Sequence, residues 1–148
     1  MCRVLSVTVN GSRGFNDFPF MERVLDDIFV DRGELLLIEG GAKGADRLAK
    51  RYALERGIDH KLYEADWDTL GKRAGFVRNI AMIKDSGLLI AFWDGESKGT
   101  KHAIDFAVKD GCEVIVVLYN TTATTLDTLR RGRGTTAPVV YFDDLAYM

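Results

Sequence analysis

The stretch Val4-Leu5-Ser6-Val7-Thr8-Val9-Asn10-Gly11-Ser12-Arg13-Gly14 decides how the rest of the chain is read. Its first six residues are short, apolar and β-branched, and a polar turn with two glycines follows at once. That pattern describes a buried strand ending in a sharp connection. Just beyond it, Met21, Val24, Leu25, Ile28 and Phe29 recur at i, i+3, i+4, i+7 and i+8. This spacing places them on one face of a helix. Asp17 and Pro19 suit the start of that helix, and Gly33 suits the turn after it.

The same strand-then-helix unit repeats along the chain. Leu35-Leu36-Leu37-Ile38 reads as a second strand, and Ala45, Leu48, Ala49, Tyr52 and Ala53 as a second helical face closed by Gly57. A third strand is expected over 58–63, and a third helix from Phe76, Ile80 and Ile83. Leu88 to Phe92 is a fourth strand, Ala103, Phe106 and Ala107 mark a fourth helix ending near Gly111, and Val114 to Leu118 is a fifth strand. Strands that are apolar throughout, alternating with amphipathic helices, imply a parallel sheet covered on both faces. Right-handed crossovers then make it doubly wound. The expected fold class is therefore α/β: a Rossmann-like, doubly wound, mostly parallel sheet in three layers, as a single domain. Residues 1–119 carry that domain, and 120–148 form a C-terminal extension completing or flanking it, with a last strand expected from Val139 to Phe142. The Thr-rich segment before that strand holds Arg130, Arg131 and Arg133.

A chain of 148 residues with 47% hydrophobic content can bury a core without staples. Its formal net charge of -2 provides no global basic field for a polyanion, so a nucleic-acid role would need a local patch. Cys2 and Cys112 belong to no C-x-x-C pair, and two histidines are too few for a usual Cys/His zinc cluster; no metal is expected and both thiols read as reduced. No apolar run is long enough to span a bilayer, and Asn10 to Arg13 interrupts any signal-peptide pattern. A cytoplasmic location is expected, without a membrane partner.

In a doubly wound sheet, ligands bind beyond the carboxyl ends of the strands. The connections there are unlike simple linkers. After the first strand come Gly11, Ser12 and Arg13. After the second come Gly40, Gly41, Ala42, Lys43, Gly44 and Asp46, running into a helix. After the fourth come Asp94, Gly95, Glu96, Ser97, Gly99 and Thr100, again opening a helix. Exposed N–H groups at a helix start beside glycines attract phosphate. Neither later loop matches the dinucleotide G-x-G-x-x-G or the Walker pattern, which argues against a P-loop NTPase. The connection from Ala65 to Gly75 is read as a long polar loop, continuing into Arg78 and Asn79. In it Trp67 can stack on a base, and Arg73 or Arg78 can pair with phosphate. His102 follows Gly99-Thr100 by one turn and can face the ligand or solvent. Asp46 can satisfy helix-start N–H groups or act as a base. Asp26, Asp27 and Asp31 read as a solvated face.

Gly11-Ser12-Arg13, Gly40 to Asp46, Ala65-Asp66-Trp67, Gly71 to Gly75 with Arg78, Asn79 and Met82, and Trp93-Asp94-Gly95 with Ser97, Gly99 and Thr100 together resemble the YspA/YpsA-like branch of the SLOG superfamily. That superfamily joins the Smf/DprA DNA-processing proteins and the LOG phosphoribohydrolases. The resemblance covers about residues 3 to 118. It implies a Rossmann-like sheet, a nucleotide-type or NAD-derived ligand, homodimers or larger assemblies, and relatives in phage and mobile-element genomes. One departure concerns activity. LOG enzymes carry P-G-G-x-G-T-x-x-E, whose last Glu takes part in cleaving the N-glycosidic bond. Here Ala103 stands at that place, and Glu96-Ser97 replaces the glycine pair. Arg78 resembles the LOG helix arginine, and Asp46, Asp94 and Glu96 are the candidates to replace the missing carboxylate.

Three functions follow in order. The first is a binding protein that senses or sequesters a small phosphorylated nucleotide-like ligand, with no cofactor required. The second is a nucleotide N-glycosidase using Asp46, Arg78 or Glu96. The third is DprA-like single-stranded DNA binding through Lys72, Arg73 and Arg78 or the Arg130 to Arg133 cluster; the net charge argues against it, so nucleic acid is not the expected partner. A homo-oligomer is expected, with the apolar residues of the fourth helix and the tail available for its interface.

Overall fold

Two periods in the sequence, one for strands and one for helices, resolve into a single sheet with helices on both sides. The computed structural model describes residues 4–119 and 139–143. The strands are β1 (Leu5–Gly11), β2 (Leu35–Glu39), β3 (Asp59–Leu62), β4 (Leu88–Trp93), β5 (Glu113–Leu118) and β6 (Val139–Asp143). The helices are α1 (Phe18–Phe29), α2 (Ala45–Arg56), the short α3 (Trp67–Leu70), α4 (Ala74–Lys84) and α5 (Lys98–Lys109). All strands pair in parallel in the order β3-β2-β1-β4-β5-β6. This is a doubly wound Rossmann-like sheet.

β4 lies at the centre, and every one of its residues is buried. One face of the sheet packs on α1 and α2 through Val7, Val9, Leu37, Ile90, Met21, Leu25, Ala49 and Ala53. The opposite face packs on α4 and α5 through Leu89, Ala91, Val114, Val116, Ile83, Ala103 and Ile104. Burial on both faces is what turns these strands into continuous apolar runs. Outermost β3 is largely exposed, as its polar Asp59-His60-Lys61 sequence requires.

Several sequence expectations need correction. β1 runs on through Asn10 and Gly11, because Gly11 still pairs with Phe92 of β4. The polar connection over 65–75 is not a loop: Asp66 caps α3 by accepting the Thr69 N–H at 3.2 Å, and a 3₁₀ turn, Gly71–Arg73, leads straight into α4. No residue of α3 or of that turn is buried, so neither carries an apolar period to read. α4 buries Ala74, Asn79, Met82 and Ile83, while Phe76 is 41% exposed rather than part of a core face.

Asp26 is not merely solvated. It accepts the Tyr52 hydroxyl at 2.6 Å and pairs with Arg56 at 3.0 Å, clamping α1 to α2. In α5, Ala103 and Ala107 are wholly buried against the sheet and Phe106 packs beside them, so these residues serve the core rather than an interface. Cys112 is a free, buried thiol. Cys2 and the Arg130, Arg131 and Arg133 cluster lie outside the described residues. No described helix is long and apolar enough to cross a membrane.

Candidate functional site

Strand order reverses between β1 and β4. The chain winds outward from β1 through β2 to β3, then returns to β4 and continues to β5 and β6. Connections on the two sides of this switch point diverge and leave a crevice at the carboxyl edge. Here four of them enclose a cleft of about 430 Å³, lined from Asn10 to Gly14, by Ala42 and Asp46, by Trp67 and the start of α4, and from Ser97 to Thr100.

Each connection is held by its own sequence. Phe15, 2% exposed, drops the β1–α1 loop into an aromatic group with Phe92 and Tyr119, at ring separations of 5.0 and 4.8 Å. Ser12 ties three loops together. Its N–H donates to the Phe92 carbonyl at 3.0 Å, its carbonyl accepts from Phe15 and Ala45, and its hydroxyl shares a hydrogen bond with the Ser97 hydroxyl at 2.9 Å. Gly44 lets α2 start this close: it has φ +83°, and a methyl group there would meet the Arg13 carbonyl oxygen at 2.6 Å and the Ser12 oxygen closer still. Asp94 holds the β4–α5 loop by accepting the Glu96 and Ser97 N–H groups at 2.9 and 2.8 Å and the Ser97 hydroxyl. Burial works against its charge, but these hydrogen bonds outweigh it and hold the carboxyl below its ordinary range.

Asp46 sits in the first turn of α2, only 3% exposed, and accepts the Gly40 N–H at 3.1 Å. Burial pushes its pKa up to about 7; Arg78 opposes that rise and the Glu39 charge adds to it. Glu39, wholly buried at the end of β2, accepts the Gly41 N–H at 2.6 Å, while its Oε1 has no hydrogen-bond partner. Its pKa is also raised by burial. Arg78 donates to the Gly40 carbonyl at 2.7 Å and to Asn79 Oδ1 at 3.2 Å. Gly40 must be glycine for this, since a methyl group would lie 2.8 Å from Arg78 Nε.

The structure brings most of the expected residues to the cleft: Gly11, Ser12, Arg13, Ala42, Asp46, Trp67, Arg78, Asn79, Ser97, Gly99 and Thr100. Gly40, Gly41 and Lys43 line an adjoining basin instead. Gly44, Asp94 and Gly95 shape the loops from behind. Arg73, in the 3₁₀ turn, does not line the cleft, and its neighbour Lys72 does. Glu96 is exposed and outside the lining, because Asp94 turns the loop away from it. His102 does not line the cleft; its ring packs on Phe76 with centroids 4.5 Å apart.

Asn10 and Lys98 also line the cleft and were not singled out in the sequence; so do Phe76, read there only as a helix-face residue, and Lys72, read only as part of a DNA-binding patch. Asn10 is 5% exposed, and its Oδ1 has no hydrogen-bond partner. Its position two residues after buried Thr8, on the same strand face, is the signal that would have found it. Arg13, Lys72, Arg78 and Lys98 supply positive charge to the lining, and Asp46 is its one carboxyl among the described residues. With the open N–H groups at the start of α5, this arrangement favours an anion. Among the described residues no group of three or more side chains could hold a metal ion.

Residues 5–69 match the model of the YspA, cpYpsA-related SLOG family. The Gene 61 protein of Mycobacterium phage D29 is 35% identical over 116 residues, which cover 74% of this chain and 93% of that protein. The fold is similar to DNA processing protein A (DprA) from Streptococcus pneumoniae, with a TM-score of 0.69 and 17% identity over 93% of this chain. The chain spans 58% of the length of that structure. It is also similar to the DprA of Helicobacter pylori, whose structure concerns its single-stranded DNA binding mode, with a TM-score of 0.64, 21% identity, and coverage of 97% of this chain and 78% of that one. The chain belongs to the YspA, cpYpsA-related SLOG family.

Proposed function

We propose that the protein binds a nucleotide or nucleotide derivative in the cleft at the strand switch point, and so senses or sequesters a small phosphorylated ligand. One observation carries this reading: four connections of the sheet converge on one cleft whose rim combines Arg13, Lys72, Arg78 and Lys98 with the half-exposed Trp67. The cations and helix-start N–H groups suit phosphate, and the indole suits a base. Thermal-shift screening with nucleoside monophosphates, NAD, ADP-ribose and cyclic nucleotides, followed by calorimetry, tests it. Saturable binding of at least one of these is expected, and none binding at millimolar concentration removes the reading.

Asp46 favours a second reading, nucleotide N-glycosidase. A carboxyl in the cleft with a pKa near 7 can give a proton to a leaving base at neutral pH. Release of free base from nucleoside monophosphates, abolished in Asp46→Asn, supports this activity; release that survives the substitution rules out Asp46 as its acid. The Helicobacter pylori DprA binds single-stranded DNA. For this chain, salt-dependent single-strand binding lost in Arg13→Ala and Lys72→Ala would move the assignment to nucleic acid.

A further inference from the structure

A second basin of about 500 Å³ adjoins the cleft, and the reading above leaves it unused. The Gly40 to Ala42 turn lines it together with Lys43, Arg47, Leu62 and Glu64. Arg13, Ala42, Trp67 and Arg78 line both spaces, so the two meet at a shared saddle. Arg78 is fixed there by its bond to the Gly40 carbonyl. Trp67 is 50% exposed, with the edge of its indole over Gly75.

The ion pairs Arg32–Glu113, Arg51–Glu55, Arg56–Glu22, Arg56–Asp26 and Lys101–Asp105 all lie outside both basins. Arg13, Lys43 and Arg47 make no ion pair with a described residue, and Glu64 is the one acid among the described residues lining the second basin. Cations without local partners attract an external anion. A ligand confined to the first cleft would not reach Lys43 or Arg47.

We propose that the second basin is a second subsite, and that the ligand is of dinucleotide type: two nucleoside-sized halves joined through phosphate, one in each basin. The bridging phosphate lies at the saddle, where Arg13 and Arg78 are the cations common to both spaces, and Lys43 and Arg47 hold the far half. This rests on the nucleotide reading of the cleft. Either a pyrophosphate or a phosphodiester link meets the same chemistry, and different probes separate them.

Calorimetry with AMP, ADP-ribose and the linear dinucleotide pApA, on the wild type and on Lys43→Ala/Arg47→Ala, tests the proposal. Both substituted residues are exposed, so the fold is not at risk. At least one linked ligand is expected to bind about ten-fold or more tighter than AMP, through the second half's added contacts. The double variant should lose that excess while keeping its AMP affinity within about two-fold. ADP-ribose leading identifies a pyrophosphate link, and pApA leading a phosphodiester. Equal affinities for AMP and both linked ligands overturn the second subsite and leave the nucleotide reading standing. So does a double variant that keeps the excess, or that weakens AMP as much as the linked ligand. Binding of none of the three overturns the second subsite, and the wider nucleotide screen then decides the reading of the cleft.

Discussion

Asp46→Asn replaces the one carboxyl among the described residues lining the cleft with a neutral group of nearly the same shape. In the folded chain Asp46 has a pKa of about 7, against an ordinary value of 3.8. Between those values the folded protein holds a proton that the unfolded chain has released, so rising pH favours unfolding. The stability associated with neutral Asp46 is thus complete below about pH 3.8 and is lost as pH rises to about 7. At about 1.4 kcal/mol per pH unit, the gap amounts to about 4 kcal/mol, of which about 2–3 kcal/mol falls between about pH 5 and pH 8. The group is 3% exposed, so solvent screening does not reduce this much. Denaturant unfolding of both proteins at matched pH values measures it, since the difference between them cancels the titrating groups that do not interact with Asp46. The variant should gain on the wild type by about 2–3 kcal/mol from pH 5 to pH 8, or about 5–10 °C in Tm. A difference that stays flat over this range would refute the reasoning, because it would mean Arg78 and the Gly40 N–H already hold Asp46 ionised at pH 5.

Gly44→Ala should destabilise the fold by at least about 2 kcal/mol, from a left-handed backbone and a collision with the Ser12 and Arg13 carbonyls; unchanged unfolding would contradict the loop junction described. Asp94→Ala removes three hydrogen bonds from the β4–α5 loop and should cost about 1 kcal/mol by denaturant titration, with proteolysis shifting towards that loop. Trp67→Ala should weaken nucleotide binding about ten-fold in calorimetry, the scale of one base stack, with stability little changed; equal affinity would remove Trp67 as a base platform. Burial, with Asp110 and Glu113 adding to it, pushes the Cys112 thiol up to about 11, so mass mapping after iodoacetamide at pH 8 should find it unmodified until the chain unfolds.

The sequence was most legible where a short period meets complete burial. β4 and β5 are apolar at nearly every position because helices cover both faces, and α1 is bounded by Asp17, whose carboxylate accepts the Phe20 N–H at 3.1 Å. The α3 segment was illegible because its two short turns are set by one Asp66 cap and bury nothing, leaving no apolar pattern. Phe76 was misread because α4 meets the sheet through Ala74, Asn79, Met82 and Ile83 and turns its phenylalanine toward the cleft rim and His102.

The candidate site divides along the same line. The sequence by itself determined which loops could bind: glycines and polar residues following buried strands are local features, and Gly11 to Arg13, Gly40 to Asp46 and Ser97 to Thr100 carry them in the open. Only the tertiary structure decided what each residue does there. It placed Asp46 at the cleft with its carboxyl desolvated, committed Asp94 to its own loop, left Glu96 outside, and set Lys72 rather than Arg73 on the lining. Those outcomes depend on burial and on distances between loops that are far apart in the chain, and such quantities exist only once β1 and β4 lie side by side.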